Sequence, residues 1–173
     1  MSILNLTIYI TVLKSNKDTK GESAMANVFD VAKYILEKQG AMTTMKLQKL
    51  VYYCQAWFLT WDGKPLFNNR IEAWASGPVA PDLYQGHKGE YQISTLPKGD
   101  ANNLDPQERE TIDVILDAYG GKSAQWLADL THMEKPWIDT REGYAPGETC
   151  ENEITWASMI EYYSSLNAIG EPI

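Results

Sequence analysis

The stretch KLQKLVYYCQAWFLTWDGKPLFNNRIEAWASGPVAP, Lys46 to Pro81, decides the fold. In its first half Leu47, Leu50, Val51, Cys54, Trp57, Phe58 and Trp61 recur at intervals of 3, 1, 3, 3, 1 and 3, so one face of a helix carries seven large apolar side chains. Thr43 or Thr44 can accept backbone N–H bonds as its N-cap, and Asp62 with Gly63 ends it. Most of the aromatic side chain in this stretch therefore fills a core, and Cys54, on the same stripe, reads as a small hydrophobe rather than a nucleophile. The second half, PLFNNRIEAWASGPV, reads as a β-hairpin turning at Asn68 and Asn69, with Gly77 and Pro78 breaking its second strand.

Outward from this centre the chain reads mainly as helix. Upstream, Asn27 caps a helix bearing Val28, Val31, Ala32, Ile35 and Leu36 and ending at Gly40. Downstream, Pro81 opens a short helix that ends near Gly86, and His87 to Asn103 is loop with one short strand around Tyr91 to Ser94. DPQERETIDVILDAYGG, from Asp105, has an N-cap, a proline at the first position and a glutamate three residues after the cap. Ser123 caps the next helix, and the last starts at Thr155, with Ile154 and Met159 placed to staple its entry. Pro136 to Asn152 reads as a long loop. The expected fold is mainly α with some β: a domain of about five or six helices and a small hairpin.

Residues 1–24 stand apart. They comprise the β-prone SILNLTIYITVL and the polar linker KSNKDTKGESA, while Met25 opens the periodic part, so the expected division is an extension of 1–24 and a domain of 25–173. SILNLTIYITVL is too short to span a membrane and lacks the basic start of a signal peptide. Two distant cysteines in such a chain suggest reduced thiols in a cytoplasmic protein. The 173 residues carry 15 Lys plus Arg against 23 Asp plus Glu, a formal charge of −8, which disfavours nucleic acid as a partner.

Chemistry is sparse. His87, His132, Cys54 and Cys150 are the only imidazoles and thiols, none at zinc-site spacing, and Gly120, Gly121 and Lys122 follow a helix rather than a strand, against a phosphate loop. A cysteine-dependent hydrolase would need Cys150 or Cys54 beside His132, the triad candidate being Cys150, exposed in PGETCENE, with His132 and Asp129. HMEKPW, 132–137, reads as a capped helix end, His132 favoured as a cation by the helix dipole, followed by an exposed turn holding Glu134 and Lys135 and by Trp137 over the core. In RIEAW, Trp74 shares its strand face with Arg70 and Glu72, a wetter setting than that of Ile71 and Ala73.

Taken together, TMKLQKL (Thr44 to Leu50), YYCQAW, PLF, EAW, GPV, TH and PW resemble, in order and spacing, the Panacea domain of bacterial and phage antitoxins, from about Val28 to Tyr163. The resemblance implies a small helical domain that neutralises a cognate toxin by direct protein binding, without catalysis, cofactor or metal. It also implies an alternative, since one relative acts as an adaptor that presents its toxin to a protease. Such domains begin near Asn27, which leaves residues 1–24 without an implied role. On this reading the aromatics left over from the core become partner anchors, and the candidate partner-binding set is Trp74, Gly77, Pro78, His132, Pro136 and Trp137.

Overall fold

Thirteen consecutive residues of the central helix, Leu47 to Leu59, are buried. The computed structural model describes residues 25–169, and the expected extension 1–24 lies outside them. The central helix, α2 (Thr44–Asp62), starts at the Thr43 N-cap and ends at Gly63, whose φ of 67° is the left-handed cap that glycine adopts without strain. Its burial corrects the one-sided stripe expected from sequence. The helix is enclosed all round, Gln48, Lys49 and Gln55 included, because other elements pack on every side of it.

Those elements follow in order: α1 (Val28–Gln39), β1 (Met42–Thr43), α2, β2 (Glu72–Trp74), β3 (Gly77–Val79), α3 (Pro81–His87), β4 (Gln92–Ile93), a 3₁₀ turn (Ala101–Asn103), α4 (Pro106–Tyr119), α5 (Ala124–Thr131), α6 (Lys135–Thr140) and α7 (Trp156–Ile169). Helices α4 and α7 make the broadest contacts with α2, and the hairpin and α5 close another side. The architecture is thus mainly α with two small antiparallel pairs, β1 with β4 and β2 with β3. Local chemistry starts several helices where the sequence places them. Asn27 and Asp105 form capping boxes with Asp30 and Glu108, and Ser123 caps α5.

Two expected segments differ. The hairpin turns at Ala75 and Ser76, pairing Trp74 with Gly77 and Ala73 with Pro78, so Gly77 and Pro78 belong to β3 instead of breaking it. Neither Asn68 nor Asn69 takes a positive φ. Asn69 serves a long-range purpose: its Oδ1 accepts the Val28 N–H at 3.0 Å and so fastens α1 to the hairpin's approach. The long loop expected from Pro136 begins with a helix instead, α6, Pro136 lying in its first turn where a missing N–H costs nothing. Beyond α6 the chain returns along the free edge of β2, where Asn152 O accepts from Ala73 N at 3.0 Å and Ile154 N donates to Ile71 O at 2.8 Å.

Candidate functional site

The polar residues buried on α2 explain why the short sequence elements occur together. Gln55 Oε1 accepts the Leu66 N–H at 2.8 Å while its amide donates to Phe67 O at 2.7 Å, so YYCQAW grips PLF. Gln48 grips the end of the hairpin in the same way, accepting from Ala80 N at 2.9 Å and donating to His87 Nε2 at 3.0 Å. Lys49 donates to Pro78 O at 3.1 Å. Backbone groups of an irregular segment are thereby paired in a place water does not reach.

Gly77 is where this packing is tightest. Its φ is +105°, and a Cβ there would sit 2.6 Å from Lys49 Cε and 2.9 Å from Thr131 Oγ1. Glycine is required both for the backbone conformation and for the passage of the lysine.

All six candidate residues gather at one corner, where the hairpin meets α5 and α6. Trp137 donates its indole N–H to Trp74 O at 2.8 Å and stacks on His132 with ring centroids 4.2 Å apart. Trp74 donates to Glu72 Oε2 at 2.7 Å, Glu72 pairs with Arg70 at 3.1 Å, and the Trp74 ring meets Tyr84 edge-on at 4.9 Å. The ladder Arg70, Glu72, Trp74 lies on one strand face as the alternation implied. Gly77, Pro78 and Pro136 are buried, whereas Trp74, His132 and Trp137 are half-buried. His132 is not the cation expected at a helix end: burial, and then the nearby Lys49 charge, lower its pKa.

Three buried ionisable groups escaped the sequence reading. Lys49, 1% exposed, has no carboxylate partner among the described residues, and burial lowers its pKa to about 7. Glu134 is 2% exposed rather than part of an exposed turn, and burial raises its pKa to about 8 even though Tyr163 and Tyr53 donate to it at 2.7 and 3.1 Å. Around it Tyr52, Tyr53, Tyr119 and Tyr163 form a closed aromatic cluster, and the Trp57 indole donates to the Tyr119 hydroxyl at 3.3 Å. A polar, proline-containing HMEKPW gives no period that would reveal such burial. Arg141 was missed for the same reason; it donates to Ala73 O at 2.8 Å and to Glu148 O at 2.8 Å, organising the loop after α6.

Cys150 is 1% exposed and sits in the apolar core, not on an exposed loop, because the segment around it packs beside β2. Cys54 is fully buried, and burial drives its thiol pKa far up. Neither thiol has the exposure a nucleophile needs. Large apolar side chains do reach the surface beside the candidate corner: Met133 is 69% and Ile138 44% exposed, with Trp156 and Ile160 on the adjoining α7. No helix among the described residues is long and apolar enough to cross a membrane.

Comparison with known proteins places this arrangement. The family model for antitoxin SocA-like proteins with a Panacea domain matches residues 47–138, more than half of the chain, from the start of the buried run of α2 through Trp137. Antitoxin SocA of Caulobacter vibrioides (strain NA1000 / CB15N) is 32% identical over 124 residues, covering 62% of this chain and 66% of that protein. The chain therefore spans just under two thirds of that relative's length. No solved structure matches the chain.

Proposed function

Because the chain belongs to the Panacea-domain family of SocA-like antitoxins, we propose that it neutralises a cognate toxin protein by binding it directly, in the cytoplasm and without catalysis. The observation that supports the binding face is the immobilised Trp137. Its ring is held on His132 and its N–H on Trp74 O, while Met133 and Ile138 stand exposed on either side. An aromatic fixed before binding loses little entropy on contact, which is the property of an interface anchor. Trp74, His132 and Trp137 present the surface; Gly77, Pro78 and Pro136 hold its backbone in shape. Asp139 and Glu142, both exposed, give the rim an acidic edge suited to a basic toxin surface.

The test has two stages. Expressing the neighbouring reading frame alone and with this protein establishes the pair if growth arrest is relieved by co-expression. Calorimetric titration of the purified toxin then compares Trp137→Ala, Met133→Asp and Ile138→Asp with Tyr91→Ala, a control that is 82% exposed just before β4. Affinity should fall more than about tenfold in the first three, corresponding to about 1.4 kcal/mol or more, and stay unchanged in the control. Wild-type affinity in all three, with wild-type melting temperatures, would place the interface elsewhere. Neutralisation at far fewer than one copy per toxin, dependent on a host protease, would favour the adaptor reading instead.

A further inference from the structure

Between the first turns of α2, the hairpin and α3 lies a cleft of about 150 Å³, walled by Met45, Trp74, Val79, Tyr84 and His87 and reaching Lys49. In a chain with 23 acidic residues its lining contains none. We propose that this cleft binds a single carboxylate on a short apolar stem, with the Lys49 ammonium as its counter-ion.

Three observations converge on that ligand. Lys49 is 1% exposed, yet its only hydrogen bond among the described residues is to Pro78 O, which leaves ammonium protons unassigned in a dry place. The cleft also meets Thr44 and Met45 in the first turn of the 19-residue α2, whose dipole favours an anion there. Of the remaining walls, Trp74, Tyr84 and Val79 are apolar, Trp74 and Tyr84 packed edge-on at 4.9 Å, while Gln48, Ser76 and His87 add polar groups without a carboxylate. One ammonium in this lining matches one negative charge; a phosphate dianion would bring a second charge with no second lysine or arginine to meet it. The volume admits a small free carboxylic acid or one acidic side chain of a protein segment. Trp74 belongs both to this cleft and to the proposed toxin-binding face, but the titration uses no toxin, so the inference stands or falls separately from that reading.

Other charges nearby are accounted for. Glu72 is engaged by Arg70 and Trp74, and His87 by Gln48, with Glu90 beyond it; on the other side His132 feels Asp129 and Arg141, and Glu134 is engaged by tyrosines. Binding a carboxylate should therefore be coupled to uptake of a proton from solvent by Lys49 and weaken as pH rises.

The experiment titrates the full chain with sodium butyrate, with butyramide and with the blocked peptide acetyl-Ala-Glu-Ala-amide, following the amide resonances of Gly77, Val79 and His87 by NMR at pH 6 and pH 9.5. Expected is saturable binding of butyrate, of the peptide or of both, at least tenfold tighter at pH 6, with none for butyramide. Butyrate binding points to a free acid as the natural ligand; binding of the peptide alone points to a partner's side chain. His87→Gln should retain the pH dependence and Lys49→Met should lose binding. The wild-type pH comparison decides the matter even if Lys49→Met fails to fold. Equal binding of butyramide, affinity independent of pH, or no saturation by either carboxylate overturns the site.

Discussion

Lys49 and Tyr53 stand one turn apart on α2, yet the buried charges they handle are treated in opposite ways. On the tyrosine side, Glu134 is 2% exposed, with its carboxyl held by hydroxyl donors among aromatic rings. On the hairpin side, Lys49 has one carbonyl and a cleft. A closed polar group contributes to holding the fold together, whereas an incompletely partnered one burdens it and is available for binding. The 131–137 segment joins the two, with Thr131 against Gly77 at one end and Glu134 among the tyrosines three residues later.

The largest test of the contrast replaces each group by an apolar one. Glu134→Ala should cost about 4 kcal/mol at pH 6, since it opens a cavity and strands the Tyr53 and Tyr163 hydroxyls. Lys49→Met should change stability by less than about 1 kcal/mol or increase it, because a buried amine without an ion partner is replaced by a thioether of similar length. Urea unfolding measures both, and similar losses would erase the distinction.

Next in size is Gly77→Ala, expected to cost about 3 kcal/mol through the strained φ and the contact with Lys49. Adding Lys49→Ala relieves the contact and leaves the backbone strain. The double variant should therefore recover part of the loss, roughly 1 kcal/mol of coupling in a double-mutant cycle. Simple additivity would mean that the lysine is not what the missing Cβ makes room for.

These expectations also mark what could be read in the sequence. The caps at Asn27, Thr43, Asp105 and Ser123 were legible because capping is chemistry within three residues. The α2 stripe was legible as core, but its burial on every side was not, since Gln48, Lys49 and Gln55 look like a solvent face until their backbone partners are known. Hairpin register failed for a similar reason: Asn69 resembles a turn residue and in fact bonds α1 across 41 positions. Trp74 and Trp137 were singled out one by one through motif resemblance and aromatic content, whereas their contact and the burial of Glu134, Arg141 and Cys150 depend on long-range packing that no local pattern encodes.

Titration separates the two groups by sign. Glu134 is raised from 4.5 to about 8 on folding, so the folded chain keeps a proton the unfolded chain gives up, and its contribution, full below pH 4.5, is lost as pH rises to about 8. Lys49 is lowered from 10.5 to about 7, so the unfolded chain holds the extra proton and stability rises with pH between about 7 and 10.5. Either slope is roughly 1 kcal/mol per pH unit, and the two offset each other between pH 7 and 8. Relative to wild type, Glu134→Gln should remove the decline below pH 8 and Lys49→Met the rise above pH 7. Unfolding free energies at unit steps from pH 5 to 10 reveal either outcome, and parallel curves for all three proteins would contradict the assignment.

The smallest expected effect asks whether the two sides are independent. Trp137→Phe keeps a ring near His132 but removes the N–H that reaches Trp74 O together with part of the indole, so the loss should be about 1 kcal/mol or somewhat more, one hydrogen bond plus the packing the smaller ring gives up. Because that bond ends on the hairpin, exchange of the Ala73 and Val79 amides should quicken while protection in α7 stays as it was. Tyr163→Phe is the mirror change, removing a hydroxyl that donates to Glu134 from α7. It should quicken exchange in α7 and leave the hairpin amides alone. Combined, the two losses should add within about 0.5 kcal/mol, as for sites without shared partners. A larger coupling would show that the 131–137 segment transmits strain between cleft and tyrosine cluster, so that occupying one would be felt at the other.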